Sequence, residues 1–387
     1  MTWRVDLGLT MTGQRGPLLD VSAGSVGMQL NAHDDVQVTC SRESLEGVSP
    51  WFRSYRSGCL LVSYTDESGE ERLIAAAPIS AAPVEDRQAG TVTFTGKGPG
   101  WLLEDRLLLD KDYPVATAKD AKKATIRFHG DTWSSIVGEI VRLAMAKPNG
   151  YLPIATPPRA TGSRQRTYEG WNLSNNSAWK RIQEITEVIG GPDVAFRPRW
   201  ADAAHTHFEW ELLVGSDQQQ TLPQDRTVAW DATTPDGDVA KIDVATDATG
   251  VAHRVYATGA GEGKGIALEV AQARTLAEHM PLVEKVISDS DAEADKNGVS
   301  TLLQSKAAAA VASQQLDQID VTVHADPLDQ PIGTWWCGEL AHITTEGWLD
   351  VPDGEHLLRM IAVKYQLGSD IATVQCQADY LGEELAW

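Results

Sequence analysis

The chain has 387 residues, of which 42% are hydrophobic and 22% are charged, with 33 glycines and 18 prolines. This composition excludes collagen-like and low-complexity chains, and the length predicts roughly two to four domains. A net charge of −21 opposes nucleic-acid binding through a general electrostatic surface. No apolar run approaches the ~20 residues of a membrane helix, and the first residues lack a signal-peptide pattern, so we expect no membrane span and synthesis in a cytoplasm.

Residues 1–112 have the alternating apolar pattern of β-strands, interrupted by turn residues. The dipeptide Ser68-Gly69 falls where a hairpin reverses. Short strands separated by glycine and proline turns favour a small barrel or sandwich over a βαβ unit. We place the boundary of this block at Tyr113-Pro114.

Residues 113–215 change to a helical period and read as a small α/β unit. One helix begins after Asp131, which can cap it, and ends at Lys147-Pro148. Ser174 or its asparagine neighbours can cap a second helix, and its apolar positions are Trp179, Ile182, Ile185 and Ile189. Two strands are predicted after it.

Residues 216–262 and 318–387 both read as strands, and a helix-containing segment, 263–317, separates them as an insertion. Thr301 and Gln304 fit a capping box for its helix. In the last block, alternation places Ile319, Val321 and Val323 on one face of a strand. A closing hairpin is expected to bury Leu357, Ile361, Val363, Tyr365 and Leu367 on one strand, and Ala372, Val374, Cys376 and Ala378 on the other.

Several motifs suggest a chemical function, but each lacks residues that the function requires. The loop GAGEGKG at 259–265 lacks both the first glycine and the final Ser or Thr of a phosphate-binding loop, so we interpret it as a tight turn with positive φ angles. His205 and His207 have no third ligand at metal-binding spacing, which favours a structural or solvated role. The four cysteines form no CxxC pair and are interpreted as buried hydrophobes, with a Cys40–Cys59 disulfide or a reactive thiol as alternatives.

Charge and tryptophan are unevenly distributed. Residues 113–215 carry a net charge of +3, whereas residues 318–387 carry 12 acids and 2 bases. Trp335-Trp336 lie in that acidic block with Trp348. Tryptophan next to carboxylates suits a core, a protein interface or a sugar-stacking platform, and the first two uses are favoured.

The order of these elements resembles the baseplate-hub, or tail-associated, proteins of tailed bacteriophages, especially the minor tail proteins of phages that infect actinobacteria. The similar features, in chain order, are TWSSIVGEIVRLA, NNSAWKRIQEITEVIGGPDVAF, HRVYATGAGEGKG, HMPLVEKVISDSDA, LLQSKAAAAVASQQL, QIDVTVHADP and LLRMIAVKYQLGSDIATVQCQADY. The resemblance spans nearly the whole chain. Each motif is weak by itself, and their order carries the specificity.

The resemblance implies an α+β, mostly β fold, with two tail-tube-like β-barrel domains, a small α/β domain and a helix-containing insertion. Residues 1–112 would form the first barrel, and 216–262 with 318–387 the second. Residues 113–215 and 263–317 would be outer domains. Two barrels from each of three subunits would form a pseudo-sixfold ring around a channel.

The resemblance also implies a function and a set of partners. Such a homotrimer joins the tail tube and distal tail protein to the central fibre or spike, beside other minor tail proteins, with the tape-measure protein as a further candidate partner. Phage DNA passes its channel only transiently. The expected location is the tail tip of the virion, after synthesis in the host bacterial cytoplasm. No catalytic, cofactor-binding or metal-binding residue is implied.

A negative channel wall suits this role, because a wall that neutralised phosphates would hold the DNA. The candidate lumen-lining or interface residues are Asp320, Asp326, Asp329, Glu339, Glu346, Trp335 and Trp336. Two alternatives stay open. One is a distal tail ring or other tail-tip adaptor, which would have six copies, and the other is a glycan-degrading or glycan-binding tail protein.

Overall fold

The structure is a computed structural model of the chain. It describes residues 2–110, 117–188, 190–224, 226, 228–235, 237–247, 252–261, 263–272, 281–289, 292–295, 298–312, 316–324, 330–349, 351–369 and 371–378. The chain divides into two compact units, a larger one of residues 1–242 with 320–379 and a smaller one built from Asp243–Ile319. In the part described, no helix is both long and apolar enough to cross a membrane.

The first block of the larger unit is made of strands, one short α-helix and two turns of 3₁₀ helix, Arg42–Leu45 and Pro50–Arg53. The elements are β1 (Thr2–Leu9), β2 (Arg15–Leu18), β3 (Val21–Gln29), β4 (Asp35–Ser41), β5 (Gly58–Thr65), β6 (Glu71–Pro78), β7 (Val84–Asp86), β8 (Thr91–Lys97) and α1 (Gly100–Glu104). β5 and β6 form the hairpin that the sequence predicts, with Gly69 at a φ of 84° in its turn.

The next block alternates helices and strands, as its change of period predicts. The elements are α2 (Ala118–Lys123), β9 (Ile126–Asp131), α3 (Trp133–Met145), β10 (Ile154–Ala155), β11 (Thr161–Tyr168), α4 (Ala178–Thr186), β12 (Val194–Trp200) and β13 (Phe208–Val214). The apolar faces of α3 and α4 pack with β5, β6, β12 and β13 in one hydrophobic core. The first two sequence blocks therefore share a core.

The remaining elements are mostly strands. They are β14 (Val228–Ala232), β15 (Val239–Asp247), β16 (Arg254–Thr258), β17 (Leu268–Gln272), β18 (Glu284–Ser288), α5 (Thr301–Ala312), β19 (Leu316–His324), β20 (Leu340–Thr345), β21 (Gly354–Gln366) and β22 (Ile371–Ala378). The α+β, mostly β class is confirmed. Among the described residues, none of the sheets closes into a barrel.

Strands from both ends of the sequence share one ten-stranded sheet. Its main path has the order β15-β19-β22-β21-β3-β4-β8-β7, and β20 pairs with β21 and with β14 beside that path. The link is an antiparallel pairing in which Gly27 of β3 lies opposite Lys364 of β21. A four-stranded sheet, β2-β1-β5-β6, lies in the same unit, with the smaller sheets β10-β13-β12 and β11-β9.

The smaller unit contains a three-stranded sheet, β17-β16-β18, and helix α5. Val255 and Ala257 of β16 are buried with Leu303 and Ala307 of α5, which are the core of this unit. The expected capping box of α5 was displaced by one residue. The Ser300 hydroxyl, not Thr301, accepts a hydrogen bond from Leu303 N, while the Gln304 side chain donates to Glu269.

Two other predicted helix caps were also wrong. Thr132, rather than Asp131, caps α3 by accepting from Ser135 N, because Asp131 still belongs to β9. Ser177, rather than Ser174, caps α4 by accepting from Lys180 N. Ser174 lies in a separate turn of 3₁₀ helix just before it. Ile189 lies outside the described residues.

The predicted buried face of β21 holds only along its second half. Val363 and Tyr365 are buried as expected, but Leu358 and Met360 are buried where Leu357 and Ile361 were predicted. A β-bulge between Met360 and Ala362 causes this change, since one extra residue reverses the alternation of faces. By contrast, Ile319, Val321 and Val323 of β19 are all buried, as predicted.

Candidate functional site

Three distant parts of the sequence meet around a small cavity in the larger unit, which we call the three-block junction. The cavity holds about 30 Å³, roughly the space of one water molecule. Its lining comes from the end of β3 and the loop after it, from the segment between β8 and α1, from β12, and from the segment before β20. The polar residues among the lining are Gln29, His33, Asp34, Arg197, Trp336 and Cys337.

An ion pair between Arg197 and Glu339 connects β12 to the last sequence block. Arg197 Nη2 donates to Glu339 Oε1 over 2.8 Å, and Trp336 N donates to Glu339 Oε2 over 3.1 Å. Glu339 is buried, and burial raises the pKa of its carboxyl group although Arg197 opposes that shift. The guanidinium of Arg197 also lies over the ring of Trp336, 5.0 Å from its centroid.

A second set of contacts connects the same three blocks. Asn31 donates from its side-chain amide to Asp193 Oδ1 over 3.0 Å and accepts from Val194 N over 2.7 Å. Arg359 of β21 forms an ion pair with the buried carboxylate of Asp193. The junction thus fixes the loop after β3, the start of β12 and the strand β21 relative to one another.

Three titratable groups around the cavity, His33, Asp34 and Cys337, have pKa values shifted toward their neutral forms. Burial raises the pKa of Asp34 to about 7 and raises that of the Cys337 thiol well above its usual value. Burial also lowers the pKa of His33, against the influence of Glu104, whose Oε1 lies 2.8 Å from His33 Nε2. These shifts follow from desolvation and provide no thiolate nucleophile at the cavity.

The predicted tryptophan cluster is part of the core and the junction. Trp335 is buried against Trp230 and Tyr365, with ring centroids 5.4 and 5.9 Å away, and its indole N–H donates to Gln330 O. Trp336 is half-buried below Arg197. The core interpretation of Trp335 is confirmed, and the buried ring cannot serve as a sugar platform.

The predicted acidic residues occupy different environments. Asp320 is half-buried on β19, while Glu346 is exposed after β20. Glu339 points into the three-block junction. Asp326 and Asp329 lie outside the described residues. The structure therefore brings Glu339 and Trp336 together, and among the described candidates it places Asp320 and Glu346 in other environments.

A second polar cluster, which no sequence motif indicates, joins Asp6, Arg15 and Glu71. The buried carboxylate of Asp6 accepts from Arg15 over 2.7 Å, and Arg15 also donates to Glu71 over 2.6 Å. His205 Nδ1 lies 3.0 Å from Glu71, and its ring stacks on Trp200. A structural role for His205 is confirmed. The single sequence feature that indicates this cluster is Asp6, an aspartate within the apolar run of β1.

The glycine loop and the cysteines agree with the sequence interpretation. Gly261 and Gly263 have φ angles of 113° and 56°, which is the positive-φ turn expected there. All four cysteines are buried and unpaired, so the Cys40–Cys59 disulfide is not formed. Within the described ranges, no group of three metal-ligating side chains is gathered.

Comparisons with known proteins place this fold among tail proteins. A scan against models of protein families and a search of curated proteins both find no match. Among solved structures, the tail protein from Neisseria meningitidis MC58 has a TM-score of 0.55 at 12% identity, over 98% of this chain and 97% of that one. The 43 kDa tail protein of prophage MuSo2 from Shewanella oneidensis has a TM-score of 0.51 at 10% identity, over 96% and 98%. The resemblance to phage tail proteins is confirmed at the level of the fold.

Proposed function

We propose that this chain, which has the fold of phage tail proteins, is a structural hub at the tail tip of a long-tailed phage. Three copies form a ring that lines the DNA channel. The ring joins the tail tube and distal tail protein to the central fibre or spike, in contact with other minor tail proteins and the tape-measure protein. The chain acts as a scaffold and not as an enzyme.

The ten-stranded sheet is the observation that carries this proposal. Strands β3, β4, β7 and β8 come from residues 1–112, whereas β14, β15 and β19–β22 come from the later blocks. One chain therefore supplies two groups of strands that lie side by side, joined by β3 and β21. Three such chains supply six groups, which matches a pseudo-sixfold wall of two tube-like domains per subunit.

The two edge strands of this sheet allow neighbouring copies to pair and so close the ring. β7 and β15 are the outer strands of the main path, and all three residues of β7 are exposed. Unpaired strand edges template the addition of further strands, so β7 of one copy pairs with β15 of the next. The blocks 113–215 and 263–317 then lie outside the wall.

The acidic last block faces the DNA in this arrangement. Asp320, Asp326 and Asp329 contribute negative charge along the channel, and they oppose phosphate binding as the polymer passes, whereas Glu346 is an interface residue. Glu339 has a different role, because its carboxylate is occupied by Arg197 and Trp336 N. Trp335 stabilises the wall by packing against Trp230 and Tyr365 in the core, and Trp336 does so by packing against Arg197 at the three-block junction.

A virion reconstruction tests the proposal by copy number. We expect three copies of the chain at the tail tip. Six equivalent copies would instead identify a distal tail ring, and a single copy would contradict any ring. For the channel wall, virions carrying Asp320→Lys should eject DNA more slowly than virions carrying Glu67→Lys, a matched change in an exposed turn. Equal ejection rates would contradict the acidic lumen.

A further inference from the structure

Three cations lie together on a surface of the larger unit, which we call the basic-aromatic surface. Its members are Arg56, Arg106 and Lys147, together with the side chains of Tyr55, Trp101, Leu107 and Tyr151. Arg56 lies over the rings of Tyr55 and Trp101, 5.1 and 4.9 Å from their centroids. Arg106 donates to Gly150 O, and Lys147 donates to Leu107 O. Backbone carbonyls therefore hold two of the three cations in place.

This surface carries more positive charge than its neighbours neutralise. Asp105 forms an ion pair with Arg56, and in the described part of the chain no carboxylate forms an ion pair with Arg106 or Lys147. The crowding has electrostatic consequences. Burial and the charge of Arg56 lower the pKa of Arg106, and burial and the charge of Arg106 lower the pKa of Lys147. An approaching carboxylate would relieve this repulsion.

Apolar groups surround these cations. Tyr151 directly follows Gly150, whose carbonyl Arg106 contacts, and its side chain is 60% exposed. Tyr55 is 49% exposed and Leu107 is 36% exposed. Aromatic residues and arginine are the residue types most enriched at the hot spots of protein interfaces, which contribute most of the binding energy. The surface is therefore suited to a partner that presents both acidic and apolar side chains.

The loop between β20 and β21 has the complementary character, and we call it the acidic tip. Leu349 in this loop is 96% exposed, and Glu346 and Asp353 on either side of it are also exposed. The loop is held from within. Trp348 Nε1 donates to Ala232 O over 2.8 Å, Gly347 N donates to Asp353 Oδ1 over 2.6 Å, and Val351 is buried. A fixed loop thus presents one leucine between carboxylates.

We infer that the acidic tip of one copy of this chain docks on the basic-aromatic surface of a second copy. Leu349 contacts Tyr151 and Leu107 there, while Glu346 approaches Lys147. This contact joins two different surfaces, so its repetition generates a ring or a filament instead of a closed twofold dimer. The inference rests on the proposed function, because it identifies a contact between neighbouring subunits of the ring.

The charges favour a second copy of this chain as the partner that binds the basic-aromatic surface. Each copy has a net charge of −21, so two copies repel unless oppositely charged surfaces meet. The basic-aromatic surface and the acidic tip supply such a pair within one sequence. Each also exposes apolar area that the other can cover, which gives the contact a hydrophobic centre with a charged rim.

The test is a charge exchange followed by sedimentation of the full chain. Lys147→Glu and Glu346→Lys should each weaken self-association by about tenfold or more, because each places like charges together. The double variant carries the exchanged pair and should recover to within about threefold of the natural chain. Leu349→Ser changes no charge and should weaken association by a similar factor. Arg127→Glu and Glu67→Lys are matched controls at exposed positions elsewhere.

The outcomes separate this inference from the proposed function. Single variants that behave like their controls, or a double variant no better than the singles, would overturn the contact. A natural chain that stays monomeric up to about 1 mM would also overturn it, because the contact would then be too weak to act. The copy number in the virion, measured independently, decides the proposed function in each case.

Discussion

Arg197 and Glu339 form an ion pair in which Nη2 and Oε1 lie 2.8 Å apart, although the two residues belong to different sequence blocks. Arg197 comes from β12, which packs with the helices of residues 113–215. Glu339 directly precedes β20, which pairs with β14 and β21. The pair therefore connects the helical part of the larger unit to its ten-stranded sheet.

Removing Arg197 should cost more stability than removing a solvent-accessible arginine of the same strand, because Arg197 is half-buried and its partner Glu339 is buried. Arg197→Met leaves the buried Glu339 without its counter-charge and should lower the free energy of unfolding by about 3 kcal/mol. Arg199→Met on the same strand removes the solvent-accessible pairs with Glu209 and Glu211 and should cost about 1 kcal/mol or less. Chemical denaturation of both variants checks this, and equal losses would contradict a special role for the buried pair.

The α4 helix should depend on its buried isoleucine. Ile182 is fully buried in the core shared by the first two blocks. Ile182→Asp places an unpaired charge there and should destabilise this region by about 3–5 kcal/mol. Lys180→Asp, at an exposed position of the same helix, should shift the thermal melt only slightly. An unchanged melt for Ile182→Asp would show that the helix face is misassigned.

The cluster around Glu71 should protect the fold at mildly acidic pH. Burial acts to raise the pKa of Glu71, but hydrogen bonds with Arg15, His205 and Ser63 outweigh it and lower the pKa to about 2. The folded pKa is below the unfolded value of about 4.3, so this stability is complete above that pH and is lost as the pH falls toward 2.

The variant Glu71→Gln tests this dependence. At pH 7 it should be less stable than the natural chain by roughly 1–2 kcal/mol, after allowance for solvent screening. The difference should shrink when unfolding is measured between pH 4 and pH 2.5. A difference that stays constant over this range would mean that ionised Glu71 does not contribute. Glu67→Gln, in an exposed turn, is the control.

Asp34 should have the opposite pH dependence. Its pKa is raised to about 7 by burial, with a smaller contribution from Asp35, so the folded chain holds a proton that the unfolded chain releases. Stability should therefore fall as the pH rises from about 4 to 7. Asp34→Asn removes the charge and should stabilise the chain by about 2 kcal/mol at pH 8 and hardly at all at pH 4. Asp35→Asn at the exposed neighbour removes only the smaller contribution, so it should stabilise the chain much less than Asp34→Asn at pH 8 and have no effect at pH 4.

Local patterns predicted the elements well, because burial repeats with the period of the backbone. The alternation in β19 and the helical spacing in α3 were both confirmed. The reversal of faces in β21 was not predictable in this way, since the bulge after Met360 is set by its partner strands. The predicted helix caps were wrong by one to three residues, because several hydroxyl and carboxyl groups near each helix start can accept the same backbone hydrogen bonds.

These local patterns could not predict which distant strands pair or which distant charged residues form ion pairs. Nothing in the alternation of β3 indicates that its partner is β21, because any exposed strand edge offers the same hydrogen-bonding groups. The pair of Arg197 with Glu339 likewise joins two residues that look like ordinary surface charges in the sequence. Only Asp6, a carboxylate inside an apolar strand, carried a local sign of its buried ion pair.

The pairing of β3 with β21 also has a consequence during synthesis. More than three hundred residues separate Gly27 from Lys364, so a ribosome working at roughly 5–20 residues per second needs about 15–60 seconds to produce the second strand after the first. Throughout that interval the free edge of β3 is open to other nascent chains. Slow elongation or crowded polysomes should therefore lower the yield of native protein, and a chaperone that shields this edge should restore it.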